Sequence, residues 1–467
     1  MKKLLLTLLI FLLTLVAIAQ PGTLDTTFNP GNGPNASVDA IAVQSNGKII
    51  MGGSFTTYNG INRYGVARLN TNGSLDVNFI PGTAINDQAH SIAILNNGKI
   101  IVGGSFANSS SSYGLFQLNT DGSFDSGFIS TGTIGTVNAI AVQSDGKILV
   151  GGDLYYYDGI VHNGIARLNS NGSIDTTFNP GTGTNYRVRT LKLQGDGKIL
   201  MGGDFTSYNG SIYHHIVRLN SNGSIDASFN LGAGTNFDIY SIALQSSGKI
   251  LIGGTFTYYN NFYKNYLARL NSDGSFDTSF NYTGPGPSSD VWSIAVQSDN
   301  KILIGGHFTG YNYIARGYVA RLNSDGSLDG SFDPTGMGAD YGLICIAFQN
   351  DGKILIGGVF SGYDNVPRNR IARLNGSPLT AVSAINLDKS IVVAPNPVKN
   401  LLHVKLVGNA RPASIRITDL NGTEMLKRTK FISSFSLDMS SYSEGIYVVE
   451  IINEITAEKL EKRIIKL

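Results

Sequence analysis

The strongest constraint on the fold is a pair of short patterns, each present seven times and out of phase with the other. The first has the form Gly-x-x-Asp-x-x-Phe, and its copies begin at Gly22, Gly73, Gly122, Gly172, Gly223, Gly274 and Gly326. The second is a turn, a lysine and an apolar run that ends in Gly-Gly, with lysines at Lys48, Lys99, Lys147, Lys198, Lys249, Lys301 and Lys353. The first copy has no lysine segment before it, and the last lysine segment has no copy after it. One unit is therefore divided between the two ends, which predicts a ring closed by its own N-terminal strand.

The spacing of these units predicts the blades of a propeller. Successive lysines lie 51, 48, 51, 51, 52 and 52 residues apart, a period typical of propeller blades. The unit from Val291 to Phe332 holds four strand-like segments, and its turns resemble the Asn-Gly and Asp-Gly turns of two-residue hairpins. Four strands in one unit predict an antiparallel blade. We therefore predict an all-β, seven-bladed β-propeller over residues 20–378.

The N-terminus carries an export signal. Residues 1–19 contain two lysines, an apolar run from Leu4 to Ala17 and an Ala-x-Ala site that ends at Ala19, the three parts of a signal peptide. The run is shorter than the roughly 20 residues that a helix needs to span a bilayer. We predict cleavage before Gln20, with no transmembrane segment left in the mature chain.

Composition limits the partners and the means of stabilisation. The formal net charge is only +2, so no strong field attracts nucleic acid, and we predict no nucleic-acid partner. The single cysteine, Cys345, excludes an intramolecular disulfide. Stability must therefore come from packing.

The repeated unit, "SDGKILIGGxF" followed by "ARLNSDGSxDxSF", resembles the delta-60 repeat, a family of secreted bacterial β-propellers. The resemblance covers all seven units. It implies the propeller fold and export. It implies no reaction and no cofactor, because the family is defined by its repeat.

The repeat stops before a small-residue linker at 379–390, and residues 391–467 form a chemically distinct tail. Alternating segments and a hairpin signal at Asn421-Gly422 predict about seven short strands, hence a small β-sandwich. The tail resembles the type A C-terminal sorting domain of the type IX secretion system. The matching positions, which the resemblance marks as a sorting signal, are Pro395, Asn396, Pro397, Asp419, Gly422, Gly445, Tyr447, Lys462, Arg463 and Lys466. The resemblance implies outer-membrane export machinery as the partner, a Bacteroidota-like host, and a secreted or cell-surface protein.

Candidate ligand-binding residues are tyrosines of the long loops between the second and third strands of each blade. Up-and-down blades bring all long connections to one face, where variation is tolerated. Tyrosine has an apolar ring and a polar tip, which suit a glycan or a protein ligand. The candidates are Tyr58, Tyr64, Tyr156, Tyr208, Tyr213, Tyr259, Tyr263 and Tyr313. The alternative interpretation is that these rings pack against the next blade.

No metal, cofactor or catalytic residue is predicted. The Asp-rich turns resemble calcium loops, but an arginine such as Arg68 occupies the first ligand position, which favours pairing of the repeated Asp with the repeated Arg. The histidines lie in different units without ligand spacing, except the adjacent His214 and His215, whose side chains would point apart on a strand. An enzyme would keep one asymmetric cluster of carboxylates, histidines or tyrosines near the axis, and the loop sequences show none.

We therefore interpret the chain as an exported, non-catalytic propeller that acts as a binding or scaffold module. The first alternative is a glycan-binding, lectin-like propeller. The second is a lyase or hydrolase acting on polysaccharide. The sequence leaves open the identity of the ligand, any catalytic activity, bound calcium, the oligomeric state, and whether the mature protein is anchored or released.

Overall fold

The computed structural model describes residues 20–82, 87–107, 112–128, 133–157, 160–280, 284–333, 336–376, 391–394, 398–406, 413–419, 423–431, 434–453 and 459–467. The chain divides into two compact units, Met1–Pro378 and Leu379–Leu467. All regular elements in the described ranges are β-strands. Within those ranges, no helix has the length and apolar character that a membrane crossing requires.

Blade 1 shows the plan of the repeat. Its antiparallel sheet has the order β1 (Val38–Val43), β2 (Ile49–Gly53), β5 (Val66–Leu69), and a small outer hairpin consists of β3 (Thr57–Tyr58) and β4 (Ile61–Asn62). The fourth strand expected from the sequence is shortened to one bridge, between Leu69 and Leu75. The backbone turns directly after this bridge because the Asp76 carboxylate accepts a hydrogen bond from the Asn78 amide, at 3.2 Å.

Six further blades repeat this plan, which confirms the predicted seven-bladed propeller. Blade 2 lacks a separate outer hairpin because its middle and outer strands are longer. The strands are β6 (Ala89–Ile94), β7 (Ile100–Ala107) and β8 (Ser112–Leu118) in blade 2; β9 (Thr133–Val142), β10 (Ile148–Tyr157), β11 (Ile160–Val161) and β12 (Ile165–Leu168) in blade 3; β13 (Val188–Leu193), β14 (Ile199–Gly203), β15 (Ser207–Tyr208), β16 (Ser211–Ile212) and β17 (Ile216–Leu219) in blade 4; β18 (Ile239–Leu244), β19 (Ile250–Gly254), β20 (Tyr258–Tyr259), β21 (Phe262–Tyr263) and β22 (Leu267–Leu270) in blade 5; β23 (Val291–Val296), β24 (Ile302–Gly306), β25 (Gly310–Tyr311), β26 (Ile314–Ala315) and β27 (Val319–Leu322) in blade 6; and β28 (Leu343–Phe348), β29 (Ile354–Gly358), β30 (Gly362–Tyr363), β31 (Val366–Pro367) and β32 (Ile371–Leu374) in blade 7.

Hydrophobic clusters between neighbouring blades form the core. The middle strands are buried on both faces, as their apolar runs predict. Leu149 of blade 3 and Met201 of blade 4 belong to one cluster, and Leu355 of blade 7 shares another with Met51 of blade 1. Blade 7 therefore packs on blade 1 as the other blades pack on their neighbours, and the ring is closed.

Residues 22–28 supply the missing part of blade 7. Leu24 bridges Leu374, and the amide of Asn375 donates to the carbonyl of Thr23 at 2.8 Å. The Asp25 carboxylate accepts from Arg373 at 2.7 Å and lies 3.0 Å from the Lys353 ammonium. Burial raises the pKa of Asp25, but hydrogen bonds, including those from Lys353 and Arg373, outweigh burial and lower that pKa to about 2. The predicted closure by the N-terminal segment is confirmed, with a single bridge in place of a full strand.

The same polar cluster recurs around the ring. In blade 1, Asp76 Oδ2 accepts from both Lys48 and Arg68 at 2.7 Å. The Arg68 guanidinium lies over the Phe79 ring, 4.6 Å from its centroid, and also donates to the carbonyl of Thr120 in blade 2. The predicted pairing of the repeated Asp with the repeated Arg is confirmed. The further Asp–Arg pairs are Asp175–Arg167, Asp226–Arg218, Asp277–Arg269, Asp329–Arg321 and Asp25–Arg373.

The second unit contains two sheets that share one hydrophobic core. Its strands are β33 (Ile391–Ala394), β34 (Leu401–Leu406), β35 (Ala413–Asp419), β36 (Glu424–Phe431), β37 (Ser434–Asp438), β38 (Gly445–Asn453) and β39 (Lys459–Lys466). One sheet has the order β33, β34, β37 and the other β36, β35, β38, β39. Leu402 of the first sheet and Ile417 and Val449 of the second lie in that core, fully buried. Two sheets around one core are what the predicted small β-sandwich requires.

Candidate binding site at the propeller axis

Three of the candidate tyrosines are structural. Tyr58, Tyr208 and Tyr259 are at most 1 % exposed. Their hydroxyls donate to the carbonyl oxygens of Gly73, Gly223 and Gly274 at 2.8, 2.9 and 2.8 Å. Burial raises the pKa of all three hydroxyls. Each ring fills the core and its hydroxyl fixes a turn of its own blade, which agrees with the alternative interpretation that these rings pack within the propeller.

The other five candidate tyrosines reach the surface on several different blades. Tyr156, Tyr263 and Tyr313 are exposed, and Tyr313 is 93 % accessible, whereas Tyr64 and Tyr213 are half-buried. None of the five lines the cavity at the axis. They remain candidates for contacts at the rim of the propeller.

The axis holds a cavity of about 590 Å³ to which every blade contributes. Its lining is mostly polar and combines an acid, a histidine, two arginines and two aromatic rings. The lining residues are Ser37, Asp39, Ser54, Gln88, His90, Ser105, Thr136, Asn138, Arg187, Arg189, Tyr240, Trp292 and Ile344. The cavity lies at the starts of the inner strands and the ends of the middle strands, which is the face of the long connections.

A repeated irregularity in the backbone directs side chains into this cavity. In blade 1, Val38 pairs with Gly53 and Ala40 with Gly52, so Asp39 has no direct partner on the middle strand. Such a bulge bends a strand and redirects the side chain of its extra residue. The extra residues of the seven blades are Asp39, His90, Asn138, Arg189, Tyr240, Trp292 and Ile344. All seven line the cavity, and no two are alike.

The Gly-Gly pair of the repeat makes this bulge possible. A Cβ atom on Gly53 would lie 2.0 Å from the carbonyl oxygen of Ser37, far inside van der Waals contact. The second glycine of every other blade meets the equivalent carbonyl at 1.9 to 2.3 Å. The Gly-Gly pair therefore permits a close approach of two backbone segments, and this approach takes place at the bulge that forms the cavity wall.

Planar groups of blades 4, 5 and 6 form a continuous row of tilted and edge-to-face contacts along one side of the cavity. Arg189 makes a two-point ion pair with Asp204, and its guanidinium lies 4.6 Å from the centroid of the Tyr240 ring. The Tyr240 and Trp292 centroids are 5.0 Å apart, and the Trp292 and His307 centroids are 5.3 Å apart. These contacts hold the aromatic faces at fixed positions beside the cavity.

The acid beside these rings, Asp290, already accepts hydrogen bonds. Asp290 accepts from the Trp292 indole, from Ser289 at 2.8 Å and, through Oδ2, contacts His307 Nδ1 at 3.0 Å. Burial raises the pKa of Asp290, but the hydrogen bonds from Trp292, Ser289 and His307 outweigh burial and lower it. Asp290 is therefore an ionised, hydrogen-bonded anchor for the Trp292 and His307 rings.

The opposite side of the cavity holds a weakly paired acid and a histidine. Burial raises the pKa of Asp39, and His90 Nδ1 lies 4.0 Å from its Oδ2. Burial lowers the pKa of His90, and the charges of Arg187 and Arg189 lower it further. The charge of Asp87 acts in the opposite direction and raises it. At neutral pH, His90 is therefore an uncharged hydrogen-bonding group.

Sequence reasoning missed this site because it searched the loops. Asp39, His90, Tyr240 and Trp292 lie on the inner strands. Asp204, Asp290 and His307 lie just beyond strand ends. The repeat pattern treats all these positions as variable. Aligning the seven units on their Gly-Gly pairs would have exposed two inner-strand positions at which the units differ most. The loop sequences show no asymmetric polar cluster, whereas the bulge positions bring an acid, a histidine, an arginine and two aromatic rings to the axis.

The sorting positions lie in the second unit. Asp419 ends β35 and accepts a hydrogen bond from the Thr423 amide at 2.8 Å, and the buried Tyr447 donates to the Ser443 carbonyl at 2.9 Å. Gly445 and Lys466 are register partners on β38 and β39. Lys462 and Arg463 also lie on β39. Pro395, Asn396, Pro397 and Gly422 lie outside the described residues.

Comparison with known families agrees with this architecture. A family model described as "Domain of unknown function (DUF5122) beta-propeller" matches residues 44–79, 95–128, 143–178, 194–229, 245–280, 297–332 and 349–377. The chain belongs to this DUF5122 β-propeller family. Residues 392–466 match the secretion system C-terminal sorting domain. The protein is therefore exported through the type IX secretion system, to the cell surface or as a secreted protein, and the match implies that residues 391–467 interact with that machinery.

Several solved structures are similar to this propeller. PorZ of Porphyromonas gingivalis, an essential bacterial surface component of the type IX secretion system, is 14 % identical with a TM-score of 0.48, and the match covers 94 % of this chain and 60 % of PorZ. YCF48 from Cyanidioschyzon merolae is 13 % identical with a TM-score of 0.38, covering 74 % of this chain and 98 % of that one. A protein of unknown function from Dyadobacter fermentans is 13 % identical with a TM-score of 0.29, covering 75 % and 97 %. No curated protein is significantly similar to this chain.

Proposed function

We propose that the protein is an exported binding module that holds a glycan in its axial cavity. The observation that carries this proposal is the contrast at the bulge. Its backbone repeats in all seven blades, whereas its side chain differs in each. A purely structural position would repeat its side chain as the framework residues do. Seven different side chains around one cavity support a single asymmetric ligand site.

The lining favours a sugar among ligand classes. Sugar rings present C–H faces as well as hydroxyl edges, so they fit aromatic faces flanked by polar groups. Tyr240 and Trp292 supply such faces. Exposed aromatic side chains continue outwards just before the inner strands of blades 4, 5 and 7, at Tyr186, Phe237 and Tyr341. The volume lies in the range of small-molecule sites.

The experiment is glycan binding by the full chain and by three variants. A glycan array first identifies the glycans that the protein binds. Calorimetry in solution then measures the affinity for each of them. Trp292→Ala should abolish binding, and Trp292→Phe should retain most of it because a ring face remains. Tyr313→Ala is the matched control, since Tyr313 is equally aromatic, highly exposed and outside the cavity. Loss of binding with Tyr313→Ala but not with Trp292→Ala would move the site to the rim tyrosines.

A lyase or hydrolase acting on polysaccharide is the second candidate function. The His307–Asp290 contact beside the cavity supports it, because a histidine oriented by a carboxylate is a common general base. Incubation of the full chain with polysaccharides that it binds tests this candidate. Product formation that His307→Gln removes, without loss of binding, would establish the enzyme. Polysaccharide that stays intact after prolonged incubation would contradict the enzyme candidate and favour the binding function.

A further inference from the structure

The two arginines of blade 4 differ in how their charges are balanced. Arg189 is matched by Asp204 in a two-point ion pair. Arg187 is half-buried and lines the cavity, and within the described residues its guanidinium has no hydrogen-bond or ion-pair partner. Only its backbone carbonyl is used, which accepts from the Asp204 amide at 2.9 Å. A planar group with five donors is thus presented to the cavity without a protein acceptor.

The charge of Arg187 acts across the cavity. Together with Arg189, it lowers the pKa of His90 in blade 2, after the larger effect of burial. It also opposes the effects of burial and of Asp204, which raise the pKa of Asp238 in blade 5. The Arg187 charge therefore acts on titratable groups in blades 2 and 5, on both sides of blade 4.

The acids close to the cavity leave this cation available. Asp204 pairs with Arg189, and Asp290 accepts from the indole and imidazole of blade 6. Asp238 lies 3.6 Å from His215. Asp39 is the acid in the lining, and it belongs to blade 1 beside His90. No described acid pairs with the Arg187 guanidinium. An anionic ligand from solution would therefore supply the counter-charge.

We infer that the axial cavity binds an acidic sugar, with the sugar carboxylate on Arg187 and the ring face on Tyr240 and Trp292. This inference rests on the proposed glycan-binding function and adds the charge of the ligand. A guanidinium binds a carboxylate through two parallel hydrogen bonds, which gives orientation as well as energy. Arg189, fixed between Asp204 and Tyr240, extends the planar surface from the carboxylate site to the aromatic faces. Uronic-acid units of polysaccharides combine this carboxylate with a stackable ring.

The test compares acidic sugars with their neutral counterparts by calorimetry on the full chain. The probes are trigalacturonate with galactotriose, trimannuronate with mannotriose, and a sulfated galactose trisaccharide. We expect at least one uronate to bind about tenfold to hundredfold more tightly than its neutral partner, as charge-assisted hydrogen bonds allow. Arg187→Gln should remove that preference and leave affinity for the neutral sugar unchanged. Arg187→Lys should retain part of it.

The control variant is Arg368→Gln, which removes an arginine of blade 7 that lies outside the cavity. It should leave all affinities unchanged. Equal affinities for uronate and neutral sugar, with binding still lost in Trp292→Ala, would overturn this inference while the glycan-binding function stands. Tighter binding of the sulfated sugar than of either uronate would overturn the carboxylate assignment. A panel in which no sugar binds would overturn both.

Discussion

The N-terminal segment offers the sharpest test of ring closure, because its Phe28 has a structural counterpart inside the chain. Phe28 is fully buried in blade 7 with the Arg373 guanidinium 4.9 Å from its ring centroid. Phe178 is 3 % exposed in blade 3 with Arg167 at the same distance. Replacing a buried phenylalanine by alanine costs about 3–5 kcal/mol. In blade 3 the equivalent segment is continuous with the rest of its blade. If residues 22–28 are docked just as stably on blade 7, Phe28→Ala and Phe178→Ala should lower the free energy of unfolding by similar amounts.

The two positions differ in one respect that makes the comparison informative. A terminal segment can undock alone, so the loss measured for Phe28→Ala cannot exceed the free energy that docks the segment. A loosely docked terminus would limit the loss to about 0.5 kcal/mol, as for a surface site.

Thermal unfolding of the full chain and urea titration measure both variants. For a propeller of roughly 350 residues, a loss of 3–5 kcal/mol corresponds to a fall in Tm of roughly 4–7 °C. A Tm for Phe28→Ala within about 1 °C of the parent, with a normal fall for Phe178→Ala, would refute closure by the N-terminus.

Three further predictions follow from the polar clusters and the tail. Gln117 of blade 2 stands where six blades have arginine, and its buried amide nitrogen has no hydrogen-bond partner among the described residues; Gln117→Arg should pair with Asp125 and raise stability by about 0.5–2 kcal/mol in urea titration, and an unchanged or lower midpoint would contradict this. Because the pKa of folded Asp25 lies near 2, below its ordinary value of 3.8, its stabilising contribution should be lost as pH falls from about 4 to about 2; Asp25→Asn should show a smaller fall in Tm over that range than the parent. Removing residues 391–467 should leave the propeller in the periplasm on cell fractionation, and normal surface appearance would contradict the sorting role.

The framework was predictable because it repeats. Because each pattern occurs seven times, its shared residues can be distinguished from substitutions in single units. The turns, the buried middle strands and the closure of the ring could therefore all be derived from the sequence. The shortened fourth strand could not be, because it depends on the side chain of Asp76 folding back onto the amide of Asn78. That hydrogen bond ends the strand at one bridge, although the apolar pattern would allow a longer one.

The tyrosines show where sequence reasoning fails for the site. Tyr58 and Tyr64 stand six residues apart in one connection, and composition does not distinguish them. The outer hairpin turns the Tyr58 ring into the core, where its hydroxyl reaches the Gly73 carbonyl, and leaves Tyr64 half-buried. The axial positions were overlooked for the opposite reason. A repeat is recognised by what its units share, whereas a single ligand site depends on where they differ.

The bulge combines a backbone that repeats in every blade with a side chain that differs between blades. Its extra residue has no direct partner on the middle strand, so a side-chain change there leaves the paired ladder of the blade unchanged. The glycine that accommodates the bulge, in contrast, cannot change without a clash with the carbonyl behind it. The Lys–Asp–Arg cluster and the phenylalanine under it hold neighbouring blades together at the turns, on residues that take no part in the cavity. Because stability and ligand contact rest on different residues, substitutions at the seven bulge positions should alter what the cavity binds at little cost to the fold.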